Sequence, residues 1–193
     1  EEIRSLSEAA HSMGMYVYLD GARIANATAA LGGTRETLRA FTRDAGVDAM
    51  TFGCTKAGGI FGEAVVFFNP TFTTRSVYVR KQVTQLHSKM RFIAAQYEAM
   101  LKDDLFITLG GQANKAARLL FDKTHDIASL KLNTAPAANS MFPIITKVPR
   151  TQLQEWAHFY DWDIAIDQVR WMTAWDVTES EIEAFVAGVR ALL

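Results

Sequence analysis

The chain has 193 residues, 49% of them hydrophobic, and carries 20 Lys and Arg against 21 Asp and Glu. The resulting net charge of −1 excludes the basic footprint of a protein that binds nucleic acid or an anionic membrane, and the apolar share argues against wholesale disorder. One cysteine, Cys54, excludes an internal disulfide framework and a multi-cysteine metal site, and no apolar run is long enough to span a membrane.

The first two thirds of the chain alternate predicted helices and strands. Apolar residues at helical spacing predict the helices, and short runs of β-forming residues predict the strands. The elements are, in chain order, a helix over 3–12, a buried strand over 15–19, helices over 22–31 and 38–41, strands over 47–52 and 63–68, and helices over 73–101 and 105–120. This order is typical of an α/β layer with a mostly parallel sheet.

One apolar stripe supports the long helix over 73–101. Its members recur by threes and fours: Val79, Val83, Leu86, Met90, Ile93, Tyr97 and Met100. Such a stripe packs either against the core or against another subunit, and the sequence leaves both open.

The composition changes near Asp126, which divides the chain into two predicted domains. We expect a larger α/β domain over 1–125 and a small α+β domain over 126–193, with a strand over 165–173. Two pairs in the second part have the spacing of a capping box, Thr151 with Gln154 and Thr178 with Glu181, and each predicts the start of a helix. The core of the small domain is expected to contain Trp156, Trp162, Trp171 and Trp175.

Two charged residues follow neighbouring predicted strands. Asp20 ends the first strand, and Lys56 lies in the glycine-rich turn 53–59 after the second. Since ligands of open α/β sheets gather at the carboxyl ends of strands, we expect both side chains to face one crevice. A buried lysine becomes nucleophilic and forms a Schiff base with an aldehyde cofactor such as pyridoxal phosphate, which also needs a carboxylate at its pyridine nitrogen. A turn aspartate and a solvated lysine explain the same two residues.

Four segments in order resemble one enzyme family. The sequence Tyr-Leu-Asp-Gly-Ala-Arg over 18–23 resembles the His-Leu-Asp-Gly-Ala-Arg segment of the threonine aldolases, in the β-eliminating lyase branch of the fold-type I pyridoxal phosphate enzymes. Segment 52–67 resembles the cofactor-lysine segment of the bacterial low-specificity form, 81–96 is similar to a following segment of that form, and 169–177 resembles its C-terminal arginine segment. Together the four matches cover nearly the whole chain.

The resemblance implies a role for each matching residue around pyridoxal phosphate. Lys56 would hold the cofactor covalently, and Asp20 would pair with its pyridine nitrogen; these two are the expected catalytic residues. Thr55, directly before the lysine, would touch the cofactor, although its hydroxyl suits a turn equally well.

Three arginines receive binding roles from the same resemblance. Arg23 would lie near the phenolic oxygen of the cofactor and the substrate carboxylate, Arg91 would contact the cofactor phosphate, and Arg170 would hold the substrate carboxylate. Plainer interpretations exist, because Arg91 adjoins the apolar stripe and Arg170 alternates with apolar residues on a strand. No spacing of His, Cys and carboxylate residues predicts a metal site.

The resemblance also implies a fold and an activity. We expect the second half of a fold-type I large domain with a small C-terminal domain, in an enzyme that cleaves threonine or allo-threonine to glycine and an aldehyde. The family's phosphate cup and ring-stacking residue have no match here, so the chain is expected to be the C-terminal part of such an enzyme. A cytoplasmic homo-oligomer, dimer or tetramer, is expected. Two alternatives stay open: another fold-type I lyase for a different amino acid, and a catalytically silent α/β module.

Overall fold

The computed structural model describes residues 1–132 and 134–193, which form two compact units, Glu1–Thr108 and Leu109–Leu193. The division falls within a helix, α6 (Leu105–Thr124). The boundary expected between residues 125 and 126 lies at the end of this helix and stays a prediction. No helix in the described part of the chain is both long and apolar enough to cross a membrane.

The first unit surrounds a three-stranded sheet with helices. Its elements are α1 (Glu2–Ser12), β1 (Tyr18–Leu19), α2 (Ile24–Leu31), α3 (Arg35–Phe41), β2 (Ala49–Gly53), β3 (Glu63–Phe67), α4 (Thr73–Gln82) and α5 (Arg91–Leu101), followed by the start of α6. The strand order is β1-β2-β3, with β1 parallel and β3 antiparallel to β2. Central strand β2 is almost entirely buried, as expected for a short apolar run in the middle of a sheet.

The strand predicted over 15–19 is shorter and more exposed than expected. Only Tyr18 and Leu19 pair with β2, opposite Ala49 and Met50, and Tyr18 is 58% exposed. The prediction of a buried strand is therefore wrong. The physical reason is that β1 is an edge strand of the described sheet and pairs on one side only, with β2.

The single helix predicted over 73–101 is two helices, α4 and α5. Thr84 adopts a left-handed backbone conformation with a φ of 59°, which a continuing right-handed helix does not allow. The apolar stripe divides at the same place. Ile93 and Met100 of α5 are buried, whereas Val79 and Val83 are exposed. The stripe therefore is not one continuous packing face.

The second unit packs helices on one face of a small antiparallel sheet. Besides the rest of α6, it contains β4 (Ser140–Met141), α7 (Lys147–Trp156), β5 (Tyr160–Asp163), β6 (Gln168–Met172) and α8 (Glu179–Leu192). The strand order is β4-β6-β5. Val169 and Trp171 alternate along β6 and point into the core, where Leu153 and Val189 are fully buried. This alternation leaves Arg170, between them, on the opposite face of the sheet.

Several local predictions for the second unit are now decided. The strand predicted over 165–173 is confirmed over Gln168–Met172 only, because Ile164–Ile166 form a 3-10 turn. The capping box at the start of α8 is confirmed, since Thr178 and Glu181 bond reciprocally. The capping box at Thr151 is wrong, because α7 begins at Lys147 and the Thr151 hydroxyl donates to the Lys147 carbonyl inside the helix. Strand β5 was not predicted.

The tryptophan core is only partly correct. Trp171 is 3% exposed and belongs to the core, and Trp175 is half-buried. Trp156 and Trp162 are each 55% exposed, so their assignment to the core is wrong. Each of these two tryptophans instead packs against one aromatic ring, Trp156 against Phe185 and Trp162 against Phe142.

Candidate active site

Asp20 and Lys56 lie at the same edge of the first sheet. Asp20 directly follows β1, and Lys56 lies in a short 3-10 turn, Thr55–Ala57, that follows β2. Because β1 and β2 are parallel, their carboxyl ends meet at one edge. The predicted juxtaposition of the two strand ends is therefore observed.

Two glycines bring the backbones of these strand ends into direct contact. The Gly53 N–H donates to the Gly21 carbonyl at 3.2 Å. A Cβ atom on Gly21 would lie 2.0 Å from the Thr51 carbonyl oxygen, and one on Gly53 would lie 2.6 Å from the Ala22 carbonyl oxygen. Both obstacles are backbone atoms, so only glycine fits at either position. The turn that carries Asp20 is thus fixed against the end of β2.

The two candidate catalytic side chains are exposed and differ in their bonding. One Asp20 oxygen accepts a hydrogen bond from the Ala22 N–H at 3.0 Å, so this residue also shapes its own turn. The Lys56 amine has no ion pair or hydrogen bond within residues 1–132 and 134–193. The described residues leave Lys56 exposed, so they do not by themselves supply the burial that makes a lysine amine nucleophilic.

Thr55 and Arg23 lie next to this pair. Thr55 is exposed at the start of the 3-10 turn. Arg23 is half-buried immediately before α2, three residues after Asp20. The structure therefore collects four of the six predicted site residues at one sheet edge, and their roles stay predictions.

Helix α5 supports the Lys56 turn through two residues that the sequence did not single out as site residues. The Tyr97 hydroxyl donates to the carbonyls of Phe52 and Gly62, at 2.8 and 3.3 Å, and so ties the end of β2 to the approach to β3. Gln96 accepts from the Ile60 N–H at 2.7 Å. The sequence assigned Tyr97 to the apolar stripe because its ring fits the helical spacing, and nothing in that pattern indicates a role for its hydroxyl.

Burial sets the protonation of two groups around this turn. Burial, with the nearby Cys54 and Glu63, raises the pKa of Tyr97, so its hydroxyl stays protonated and remains a donor. Burial, followed by the charge of Glu63, also raises the pKa of the Cys54 thiol. Cys54 is buried, and a raised pKa keeps its thiol protonated, so it acts as a packed side chain rather than a nucleophile.

Arg91 is the first residue of α5. It is exposed, and its guanidinium lies over the ring of its neighbour Phe92, 4.9 Å from the centroid. No carboxylate pairs with it among the residues that the structure describes. Arg91 is therefore a free cation on the helix that also holds the Lys56 turn.

Arg170, the candidate in the second unit, lies on the face of β6 opposite the core. It is half-buried, and its guanidinium carbon lies over the rings of Tyr160 and Trp162, at 5.8 and 5.0 Å from their centroids. The plain interpretation of a solvated strand residue does not predict these ring contacts. Trp162 and Tyr160 were missed as partners because β5 was not predicted.

No group of three or more His, Cys, Asp or Glu side chains with the geometry of a metal site exists within the described ranges. The residues at the sheet edge suit an organic aldehyde cofactor better. A primary amine and a carboxylate at the same sheet edge match what pyridoxal phosphate requires, a nucleophile for its aldehyde and a negative charge for its pyridine nitrogen. The side chains present therefore fit this cofactor.

A protein-family model described as Beta-eliminating lyase matches residues 1–148, more than half of the chain. The chain belongs to the beta-eliminating lyase family. The matched region includes Asp20, Lys56 and Arg91, and it ends before Arg170.

Individual proteins that resemble the chain are more specific than the family model. Two curated proteins called low specificity L-threonine aldolase, from Pseudomonas sp. (strain NCIMB 10558) and Pseudomonas aeruginosa, are 34% and 32% identical over 195 aligned residues, which is 100% of this chain. The solved threonine aldolase of Leishmania major matches with a TM-score of 0.86 and 30% identity, over 99% of this chain and 56% of that one. These similarities confirm the predicted resemblance and the α/β fold class. The chain spans about half the length of these curated relatives, 55% of each.

Proposed function

We propose that this chain carries the cofactor-binding lysine of a pyridoxal-phosphate-dependent aldolase. Its substrate would be a β-hydroxy-α-amino acid, threonine or allo-threonine, and its products glycine and an aldehyde. The observation that carries the proposal is the placement of an unpaired Lys56 amine and the Asp20 carboxylate at the ends of two parallel strands. The names of the Pseudomonas relatives support the reaction type.

Each candidate residue of the chain would have a separate role in binding the cofactor. Lys56 would hold the cofactor through its amine, and the Asp20 carboxylate would keep a proton on the pyridine nitrogen, because a negative charge favours the protonated form. When bound, pyridoxal phosphate supplies an electron sink for the bond broken at Cα. Arg91 would bind the phosphate.

Carboxylate recognition would fall to Arg170 and Arg23. A guanidinium presents a planar fork of donors that matches a carboxylate with two parallel hydrogen bonds. Holding the carboxylate fixes the amino acid, so that the Cα–Cβ bond is the one aligned for cleavage. The group that takes the proton of the β-hydroxyl is not assigned to any residue of this chain.

Covalent labelling tests the lysine directly. Pyridoxal phosphate is added to the chain, and to a fusion that joins the chain to the part of the Pseudomonas sp. relative that it does not cover. Borohydride then fixes the cofactor, and peptide mass spectrometry locates it. We expect the label on Lys56, its loss in Lys56→Ala, and its retention in the control Lys81→Ala. A fusion without label on Lys56 would contradict the proposal and favour the silent α/β module.

Product analysis of the same fusion tests the reaction type. With threonine, we expect glycine and acetaldehyde in equal amounts. Release of pyruvate and ammonia from a β-substituted alanine, without glycine from threonine, would instead favour another fold-type I lyase.

We also propose that the functional protein is a cytoplasmic homo-oligomer. Apolar side chains along α4 support an interface between copies, since Val77, Tyr78 and Val79 are all exposed. Sedimentation velocity of the fusion is expected to show a dimer or tetramer, and a monomer at micromolar concentration would contradict it. The free thiol of Cys54 fits a reducing compartment.

A further inference from the structure

Arg170, half-buried on β6, differs from Arg150, the buried arginine of helix α7, in how its guanidinium is held. Arg150 pairs with two carboxylates, those of Asp161 and Asp167, at 3.5 and 3.0 Å. Arg170 has no ion pair or hydrogen bond among the described residues, and its buried Nε–H also lacks an acceptor there. Its contacts are the faces of Tyr160 and Trp162. The second unit therefore neutralises the Arg150 charge with carboxylates, whereas the Arg170 guanidinium contacts two aromatic rings and no carboxylate among the described residues.

The two rings are not part of the core. Tyr160 is 60% exposed and Trp162 is 55% exposed, so burial of apolar area does not explain their position. Exposed apolar side chains that group together mark recognition surfaces more often than singly scattered ones do. Their shared neighbour on that face is the guanidinium of Arg170.

The register of the hairpin places both rings beside the guanidinium. Tyr160 is directly opposite Arg170, and Asp161 is opposite Val169. The pairing then shifts, because Asp163 lies opposite Gln168 and Trp162 is left as an extra residue in β5. An extra residue of this kind bends a strand and redirects a side chain, and such bulges occur often beside active sites. Here it brings the Trp162 ring to 5.0 Å from the Arg170 guanidinium.

We infer that Tyr160 and Trp162 are positioning residues, which hold the Arg170 guanidinium in one orientation for the carboxylate of the amino acid substrate. The inference rests on the proposed function. Cation–π attraction restricts the guanidinium plane while leaving the terminal Nη donors without a protein partner. A carboxylate then gains two aligned hydrogen bonds without the entropy loss of ordering a long side chain.

Kinetics of the fusion test this role. Trp162→Leu removes the nearer ring and keeps the charge, so we expect KM for threonine to rise about threefold to tenfold with kcat within about twofold. Trp162→Phe, which retains a ring, is expected to restore most of the affinity. The control is Trp156→Leu, which removes an equally exposed tryptophan of the same unit and should leave KM unchanged.

A second measurement needs no activity. The Nε–H of Arg170 is buried, so its proton exchanges slowly and should give a sharp ¹H–¹⁵N NMR signal, identified by its absence in Arg170→Lys. Ring currents should shift this signal in the chain itself, and Trp162→Leu should move it toward the position of an unstacked arginine. Titration with acetate should then perturb the wild-type signal at lower concentration than the Trp162→Leu signal.

The two measurements separate the inference from the function on which it rests. An unchanged Arg170 signal and an unchanged acetate response in Trp162→Leu would overturn the positioning role, whatever the enzyme does. If the signal and acetate response change as expected but the fusion cleaves no threonine, the proposed function fails and the ring-held anion site stands. An equal rise of KM in Trp156→Leu would also overturn the inference.

Discussion

The two regions that carry candidate site residues are built by different means. At the sheet edge after β1 and β2, backbone meets backbone, and the contact depends on the missing side chains of Gly21 and Gly53. In the hairpin of β5 and β6, side chains do the positioning, through rings around Arg170 and ion pairs around Arg150. One added side-chain atom should therefore destabilise the first region strongly. Removing side-chain atoms from the second region should reduce its stability in smaller steps.

Gly21→Ala is the strongest test of the backbone-built region. The new Cβ would lie 2.0 Å from the Thr51 carbonyl oxygen, so β1 and β2 must separate, and we expect a loss of about 3 kcal/mol or more of unfolding free energy, or no folded protein at all. Urea unfolding followed by circular dichroism measures this loss of unfolding free energy. Gly14→Ala is the control: its φ of +72° costs about 1 kcal/mol, but nothing lies within 4 Å of the new atom. Similar losses in both variants would refute the close-contact argument.

Arg150→Met probes the side-chain-built region. The Arg150 side chain is only 8% exposed and serves two carboxylates, which are themselves partly solvated, so we expect a loss of about 2 kcal/mol in urea unfolding. Arg118→Met, which breaks an exposed pair with Asp122 within α6, should cost under about 0.5 kcal/mol. If the two variants were equally stable, the hairpin would not depend on Arg150.

Tyr97→Phe removes one hydroxyl from the first region without adding an atom. Two carbonyls, of Phe52 and Gly62, lose their donor, and we expect a loss of about 1 kcal/mol. Hydrogen exchange should rise in the 53–62 segment more than in α1. The matched change Tyr78→Phe, on the exposed face of α4, should alter neither quantity.

Unfolding at acidic pH tests the contribution of the Asp48 carboxylate to the stability of the first unit. Burial alone would raise its pKa, but hydrogen bonds from Asn69, the Val17 N–H and His11 outweigh burial and hold the pKa of Asp48 below its ordinary value. A lowered pKa adds stability that is complete above the unfolded value, about 4, and disappears as the pH falls through the folded value.

Comparison with Asp48→Asn isolates this effect. The wild type should exceed the variant by about 1 kcal/mol in unfolding free energy near pH 6, and the difference should shrink as the pH falls below about 4. A difference that stays constant between pH 6 and pH 2.5 would show that the charge of Asp48 is not what stabilises the first unit.

The sequence predicted the backbone-built region better than the side-chain-built one. Asp20 and Lys56 were placed correctly because each follows an apolar strand, and parallel strand ends share an edge whatever the surrounding packing. The break at Thr84 was missed because a left-handed residue interrupts a helix without changing its hydrophobic period. For Lys56 the sequence left burial and exposure both open, because burial depends on what surrounds the turn.

The hairpin was harder to predict because its features depend on pairing. Strand β5 contains Tyr160, Asp161, Trp162 and Asp163, and two carboxylates among four residues do not resemble a strand. Only the register with β6 explains them, with Asp161 serving Arg150 and Trp162 lying against Arg170. From sequence alone, a tryptophan in a small domain is expected in the core, and this expectation was wrong for Trp162.

The Tyr97 hydroxyl has an evolutionary consequence. It joins the turn that bears Lys56 to the helix that begins with Arg91, and the same proton is shared by two carbonyls that bracket the turn. Replacements in the turn and replacements in α5 should therefore be epistatic, and their effects should combine less additively while Tyr97 is present than in its absence. A lineage that loses this hydroxyl would be free to change the two elements one at a time, whereas a lineage that keeps it must change them together.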